Sequence, residues 1–203
     1  MKRYKQTEID ELAEILKNDG VISVPTDTVY GVCASINSKK AYYKMRGIKN
    51  RPSTKPFPIM CADEERIERI AIVDERAKKL IQAFMPGPIT LVLKKKVNMP
   101  SYISNDKDTI AIRMATSKAI KELIIKTGSP IFMSSANQSG ETTCNSLEEI
   151  EKKLPELDGI LEGNVQIGQA STIVDCTLEE IKILRQGPIS IEQIEKYIIK
   201  NNS

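Results

Sequence analysis

The sequence predicts a single α/β domain over residues 1–203, built on a mixed, twisted sheet flanked by helices. Short β-branched apolar runs, such as Val21-Ile22-Ser23-Val24 and Ile89-Thr90-Leu91-Val92-Leu93, alternate with stretches whose apolar residues recur at helical spacing. Several runs are too short for a regular doubly wound order, which points to a mixed sheet. The 203 residues, 40% hydrophobic and 28% charged, suit one sizeable core, and no repeat, low-complexity tract or linker divides them.

From the N-terminus, Thr7 with Asp10 reads as an N-cap for a helix carrying Ile9, Leu12, Ala13 and Leu16, stopped by Gly20. Strand Val21–Val24 follows and ends at Pro25, which has no N–H to give to a ladder. After the turn Pro25-Thr26-Asp27-Thr28 come a strand over 32–36 and a helix over 38–48 with Ala41, Tyr42, Met45 and Ile48 as its stripe. Lys49 and Arg51 then sit in a loop fixed by Pro52 and Pro56. Residues 57–61 read as a strand, placed at an edge because of Pro58. Helices over 64–71 and 75–85 follow, the second stopped by Pro86-Gly87-Pro88. Strand 89–93 closes on Lys94-Lys95-Lys96, and 97–108 reads as a loop. Strand 109–114 ends near Arg113, and Ser117 caps a helix through Ile124 that stops at Gly128. Strand 130–133 runs into the polar loop 134–140. Ser146 with Glu149 forms a capping box for a helix to Leu154, and strands follow at 159–161, 171–175 and 181–185. Ser190 with Gln193 caps the last helix, and residues 201–203 are expected to fray.

Composition removes several chemistries. The chain has no histidine, which rules out triad hydrolysis and His-bound zinc. Its four cysteines, at 33, 61, 144 and 176, form no Cys-x-x-Cys pair, so a reduced, cytoplasmic setting is expected rather than a disulfide framework or a metal site. No apolar run is long enough to span a bilayer, so no membrane partner is expected. The net charge of +3 is too mild to argue nucleic-acid binding from the total.

Local charge says more. From Thr28 to Ala62 there is no acidic residue, where an even spread of 27 acids would place about four or five. Lys39, Lys40, Lys44, Arg46, Lys49, Arg51 and Lys55 fill that window. Strand ends also carry polar residues of one kind: Thr26 and Thr28, Arg113, Ser135 and Asn137, and Arg185. One such cluster is routine for a strand leaving a core, and a basic run is often a solvated face. Four clusters with two arginines suggest a rim facing an anionic, phosphate-bearing ligand. Neither a Walker loop nor a Gly-x-Gly-x-x-Gly fingerprint is present, so a nucleotide would be held differently.

The ordered set Pro25–Gly31, Lys49-x-Arg51, Lys55-Pro56, Pro86-Gly87-Pro88-Ile89-Thr90, Ala111-Ile112-Arg113, Ser135-Ala136-Asn137-Gln138-Ser139-Gly140, Ser171–Asp175 and Leu184-Arg185-Gln186-Gly187 resembles the YrdC-type threonylcarbamoyl-AMP synthases. The resemblance runs from about residue 15 to 189. It implies synthesis of L-threonylcarbamoyl-AMP from L-threonine, bicarbonate and ATP, with release of pyrophosphate, for the N6-threonylcarbamoyl modification of tRNA position 37. By the same resemblance Lys49, Arg51, Ser135 and Asn137 would be catalytic. Thr28, Arg113 and Ser171 would bind threonine, with Arg113 between the two substrates. Arg51, Lys55, Thr109, Ser135, Thr143 and Arg185 would line the ATP site. Mg²⁺ would arrive with ATP, with no metal bound by the protein itself. A downstream threonylcarbamoyl transferase complex would take the product, and direct contact with tRNA stays open. Ala115-Thr116 stand where relatives often carry proline and a nearby histidine, and Met85 replaces an aromatic residue. Two other readings stay in view: a non-catalytic RNA-binding module using Lys94-Lys95-Lys96 and the 39–55 cluster, and a paralogue with different adenylating activity. An aromatic content of 4% without tryptophan leaves the RNA reading few stacking platforms.

Overall fold

The computed structural model describes residues 1–165 and 169–199. In chain order the elements are β1 (Arg3–Tyr4), a 3-10 turn (Gln6–Glu8), α1 (Ile9–Lys17), β2 (Val21–Pro25), β3 (Tyr30–Ser35), α2 (Lys39–Ile48) and β4 (Ile59–Cys61). Then follow α3 (Glu64–Ile70), β5 (Ala71–Ile72), α4 (Glu75–Phe84), β6 (Ile89–Lys95), α5 (Ser101–Ser104) and β7 (Thr109–Met114). The chain continues through α6 (Lys118–Thr127), β8 (Ile131–Ser135), α7 (Leu147–Lys153), β9 (Gly159–Leu161), β10 (Thr172–Asp175), β11 (Lys182–Arg185) and α8 (Ile191–Ile199). The fraying expected at 201–203 lies outside the described residues.

The strands form one mixed sheet in the order β1-β9-β2-β3-β8-β4-β7-β6-β10-β11, with β5 paired to β6. Hairpin β2–β3 and the β3–β8, β4–β8 and β6–β7 pairs are antiparallel, whereas β4–β7 and β6–β10 run parallel. Period-two alternation sends side chains to two cores. Val32, Ala34, Ile59, Ile110, Ile112 and Phe132 face a large core roofed by α2, α4 and α7, where Tyr42, Phe57 and Phe132 pack edge-on or tilted with centroids 5.3–5.9 Å apart. Ile22, Val24, Cys33, Met60, Ile131 and Met133 face a smaller core roofed by α1 and α6.

Several expectations are corrected. Thr7 caps nothing: the first turn is closed by the Lys5 backbone N–H donating to Glu8 Oε2 at 2.8 Å. β4 is an interior strand, between β7 and β8. Pro58 allows this because it precedes the ladder and contributes only an acceptor, taking the Met133 N–H at 2.8 Å. The 97–108 loop contains α5, closed by Asn105 in the left-handed region (φ 55°). The two-residue strands β1 and β5 were not foreseen. Ser117, Ser146 and Ser190 do act as caps, and Ser38, read as the first residue of its helix, caps α2 as well, each hydroxyl accepting a backbone N–H three residues on.

Candidate active site

Helices α1 and α6 roof only part of the smaller-core face. Beyond them β4, β7, β6 and β10 leave a cavity of about 200 Å³ whose wall includes Thr28, Arg51, Thr90, Arg113, Ser135, Ser171 and Arg185. Its floor is apolar, from Pro58, Met60, Met133 and Ile173. Gly31 makes room for that floor, since a Cβ there would lie 2.3 Å from Met133 Sδ. Three arginines reach the cavity, and no acidic side chain is among the described residues that line it.

Arg113 is 7% exposed, and its surroundings fix it. Nη2 donates to both Asp27 oxygens at 2.5 and 2.7 Å, Nη1 to Thr28 Oγ1 at 3.0 Å, and Nε to the Gly87 carbonyl at 3.1 Å. Thr116 Oγ1 donates to Asp27 Oδ1 at 2.9 Å, so the carboxylate is held from two sides. Burial lowers the Arg113 pKa from its usual value, with Asp27 opposing that shift. Thr26 builds the turn beneath: its hydroxyl donates to the Val29 carbonyl at 2.6 Å and accepts the Thr28 and Val29 N–H groups. Across the cavity Ser171 is 5% exposed, 2.8 Å from Thr90 Oγ1, and Arg185 donates to its carbonyl through Nε (3.0 Å) and Nη2 (2.8 Å).

Lys49 takes a place the sequence did not suggest. It is the C-cap of α2 and 1% exposed, and its ammonium donates to the carbonyls of Ser135 (2.5 Å) and Asn137 (2.6 Å). Its own carbonyl accepts the Ser139 N–H at 2.8 Å. Lys49 thus clips the 135–139 loop from behind rather than lining the cavity. Burial, with Arg51 nearby, pushes its pKa down to about 7. The loop is closed further by Ser135 Oγ donating to Asn137 Oδ1 at 2.5 Å and by Asn137 Nδ2 donating to the carbonyls of Gln138 and Glu141. Just past the C-cap, Asn50 takes a left-handed φ of 45° between the buried Lys49 and Arg51, which lines the cavity. Arg51 donates from Nε to the Lys55 carbonyl (3.0 Å) and from Nη2 to Pro56 (2.7 Å), and lies over the Phe57 ring at 4.7 Å. Burial and the neighbouring Arg46 lower its pKa to about 10.

Thr28, Arg51, Arg113, Ser135, Ser171 and Arg185 are therefore brought together, with Lys49 and Asn137 directly behind. Lys55, Thr109 and Thr143 do not line the cavity. Lys55 is exposed, and Thr143 is half-buried next to Cys144, whose N–H bonds the Ala136 carbonyl. Thr109 shares the open face of β7 with Ala111 and Arg113, roughly 13 Å further along the strand. Sequence reading missed Asp27 and Thr116, the groups that hold Arg113, and Thr90. An aspartate directly before a window of 35 residues without acid was the available signal for the first.

The molecule can be compared with known proteins on this footing. Over residues 14–187 it matches the Sua5/YciO/YrdC family model, described as telomere recombination. It is 34% identical over 190 residues to a putative threonylcarbamoyl-AMP synthase of Methanocaldococcus jannaschii, covering 93% of this chain and 89% of the relative. It is 34% identical over 195 residues to the threonylcarbamoyl-AMP synthase of Bacillus subtilis, covering 94% of this chain and 56% of the relative. A structure of Pyrococcus abyssi Sua5 complexed with L-threonine superposes at a TM-score of 0.91 and 31% identity, over 97% of this chain and 60% of that one. The chain spans little more than half the length of those last two. With a model match across most of its length and these relatives on either side of it, the chain belongs to the Sua5/YciO/YrdC family.

Proposed function

We propose that this chain is a nucleotidyltransferase making L-threonylcarbamoyl-AMP from L-threonine, bicarbonate and ATP, with release of pyrophosphate, for N6-threonylcarbamoyladenosine formation in tRNA. The observation that carries the reading is the convergence of Arg51, Arg113 and Arg185 on one cavity without an acidic lining residue. ATP and the carbamate intermediate are anions, and threonine brings a carboxylate. The threonine amine captures carbon dioxide derived from bicarbonate and loses a proton, giving a carbamate. A carbamate oxygen then bonds to the α-phosphorus of ATP as the bond to the pyrophosphate oxygen breaks.

In this scheme Thr28, Arg113 and Ser171 hold threonine over the Pro58, Met60 and Met133 floor. Arg51 and Arg185 neutralise charge that moves onto the phosphates, and Ser135 orients them. Lys49 and Asn137 serve by shaping the loop that presents Ser135. A cavity of about 200 Å³ suits an amino acid better than a whole nucleotide, for which sites run to roughly 300–1,000 Å³. The nucleoside therefore extends outward along the open face of β7, towards Thr109, Thr143 and Lys55. Mg²⁺ would enter with ATP and offset charge on its phosphates beside Arg51 and Arg185. The product passes to a threonylcarbamoyl transferase complex in the cytoplasm, which carries it to tRNA.

The test is pyrophosphate release with each component omitted in turn. Release is expected only with threonine, bicarbonate, ATP and magnesium together, because the attacking carbamate does not exist otherwise. Release that is indifferent to bicarbonate would mark an unrelated adenylating activity, and no release under any condition would favour a binding module.

A further inference from the structure

Arg46 lies outside the cavity wall, on the last turn of α2, and belongs to none of the motif positions above. Its guanidinium is nevertheless spent almost wholly on the loop that carries Arg51. Nη1 donates to the carbonyls of Arg51 (3.1 Å) and Pro52, and Nη2 to the carbonyl of Lys55 (3.2 Å) and the Tyr42 hydroxyl (2.6 Å). Its own carbonyl accepts the Arg51 N–H at 3.0 Å. Cζ stands 5.1 Å from the Tyr42 ring centroid and 5.7 Å from that of Phe57, both rings being buried.

The loop needs such an outside partner. Residues 51–56 read Arg-Pro-Ser-Thr-Lys-Pro: two prolines have no N–H, and the carbonyls point into no sheet or helix. Arg46 takes three of those carbonyls, Arg51 itself takes Lys55 and Pro56, and Asn105 Nδ2 takes Ser53. Arg51, which lines the cavity, thereby commits Nε and Nη2 to its own loop. Placing two guanidiniums side by side is unfavourable, so the arrangement holds only because the carbonyls and ring faces offset the repulsion.

We infer that Arg46 is a positioning residue: it holds the 51–56 loop in the shape that presents Arg51 to a phosphate. The contribution to turnover rests on the synthase reading above, whereas the loop-holding contribution does not. Arg46→Met keeps the side-chain stem over Tyr42 and removes the donors, and Arg46→Lys restores charge without the fork. In Arg46→Met, amide hydrogen exchange across 53–57 is expected to quicken while exchange in α1, α6 and β8 stays unchanged. kcat/KM for ATP should fall about tenfold with KM for threonine near the wild-type value, and Arg46→Lys should recover only part. Because Arg46 acts through Arg51, the double variant Arg46→Met/Arg51→Met should be no slower than Arg51→Met alone. Unchanged exchange at 53–57 overturns the inference whatever the activity, as do additive losses in the double variant. If the wild-type protein releases no pyrophosphate, the synthase reading falls and the exchange result still decides the role of Arg46.

Discussion

Lys49 shows how far a residue's address can differ from its job. Its place beside Arg51 in a basic window suggested a phosphate contact, yet the ammonium is buried against two carbonyls of the 135–139 loop. Those acceptors match a neutral amine as well as a charged one, because either form has at least two N–H donors. With a folded pKa of about 7 against 10.5, the unfolded chain binds the proton between those values and the folded chain does not. The burial penalty is therefore fully present below pH 7 and is relieved as pH rises towards 10.5. Wild-type stability relative to Lys49→Met should rise with pH by on the order of 1 kcal/mol per unit between 7 and 9. Urea unfolding of both proteins at pH 6.5 and pH 9 measures it. A difference that does not change with pH means that the carbonyls keep the ammonium charged.

At the scale of elements, what could be read from sequence was what neighbours along the chain decide. The capping serines, the left-handed stop at Gly128 and strand β7 carry their cause within four or five residues, so they were legible. The interior place of β4 depends on β7 and β8, more than 45 residues away, and the two-residue strands β1 and β5 owe their existence to β9 and β6. The site divides in the same way. Hydroxyls and arginines at strand ends were visible, but the Asp27–Arg113 pair joins positions 86 apart. The Arg185 corner depends on a further distant fit. Gly187 lies against the backbone of β10, where a Cβ would stand 2.4 Å from the Thr172 N and 2.5 Å from the Ala170 carbonyl oxygen. Neither can move without shifting Ser171, to which Arg185 is bonded. Gly187→Ala should cost about 1–3 kcal/mol of stability, as overpacking does, and raise KM for both substrates. Thermal unfolding with steady-state kinetics tests this; normal kinetics in a destabilised variant would detach the corner from the site.

Across the whole molecule, the cavity exists because one sheet face is roofed unevenly. The apolar stripes of α1 and α6 were legible, but not that they would share a core with β2, β3, β8 and Met60 of β4 and leave the same face of β7, β6 and β10 open beyond them. The half-buried positions then fall on alternate residues, Thr109 and Ala111 on β7 and Ile173 on β10, while Ile110, Ile112 and Val174 stay in the large core. In the sheet, among the described residues, the three-residue β4 and its neighbour β7 lie between the half carrying Ser135 and the half carrying Ser171 and Arg185. A ligand touching both halves would add a tie to those that the large core and Arg113 already make across that seam. Binding to the native state alone stabilises it by about 2.7 kcal/mol at 100 times Kd. For a chain of this size that is a rise in Tm of roughly 5–10 °C. Calorimetry with magnesium-ATP and threonine, separately and together, should therefore show a rise for each ligand and a larger one for the pair, since Arg113 stands between both. Full turnover at ligand concentrations that leave Tm unmoved would mean that the substrates do not bridge the two halves, and the cavity between them would lose its claim to be the active site.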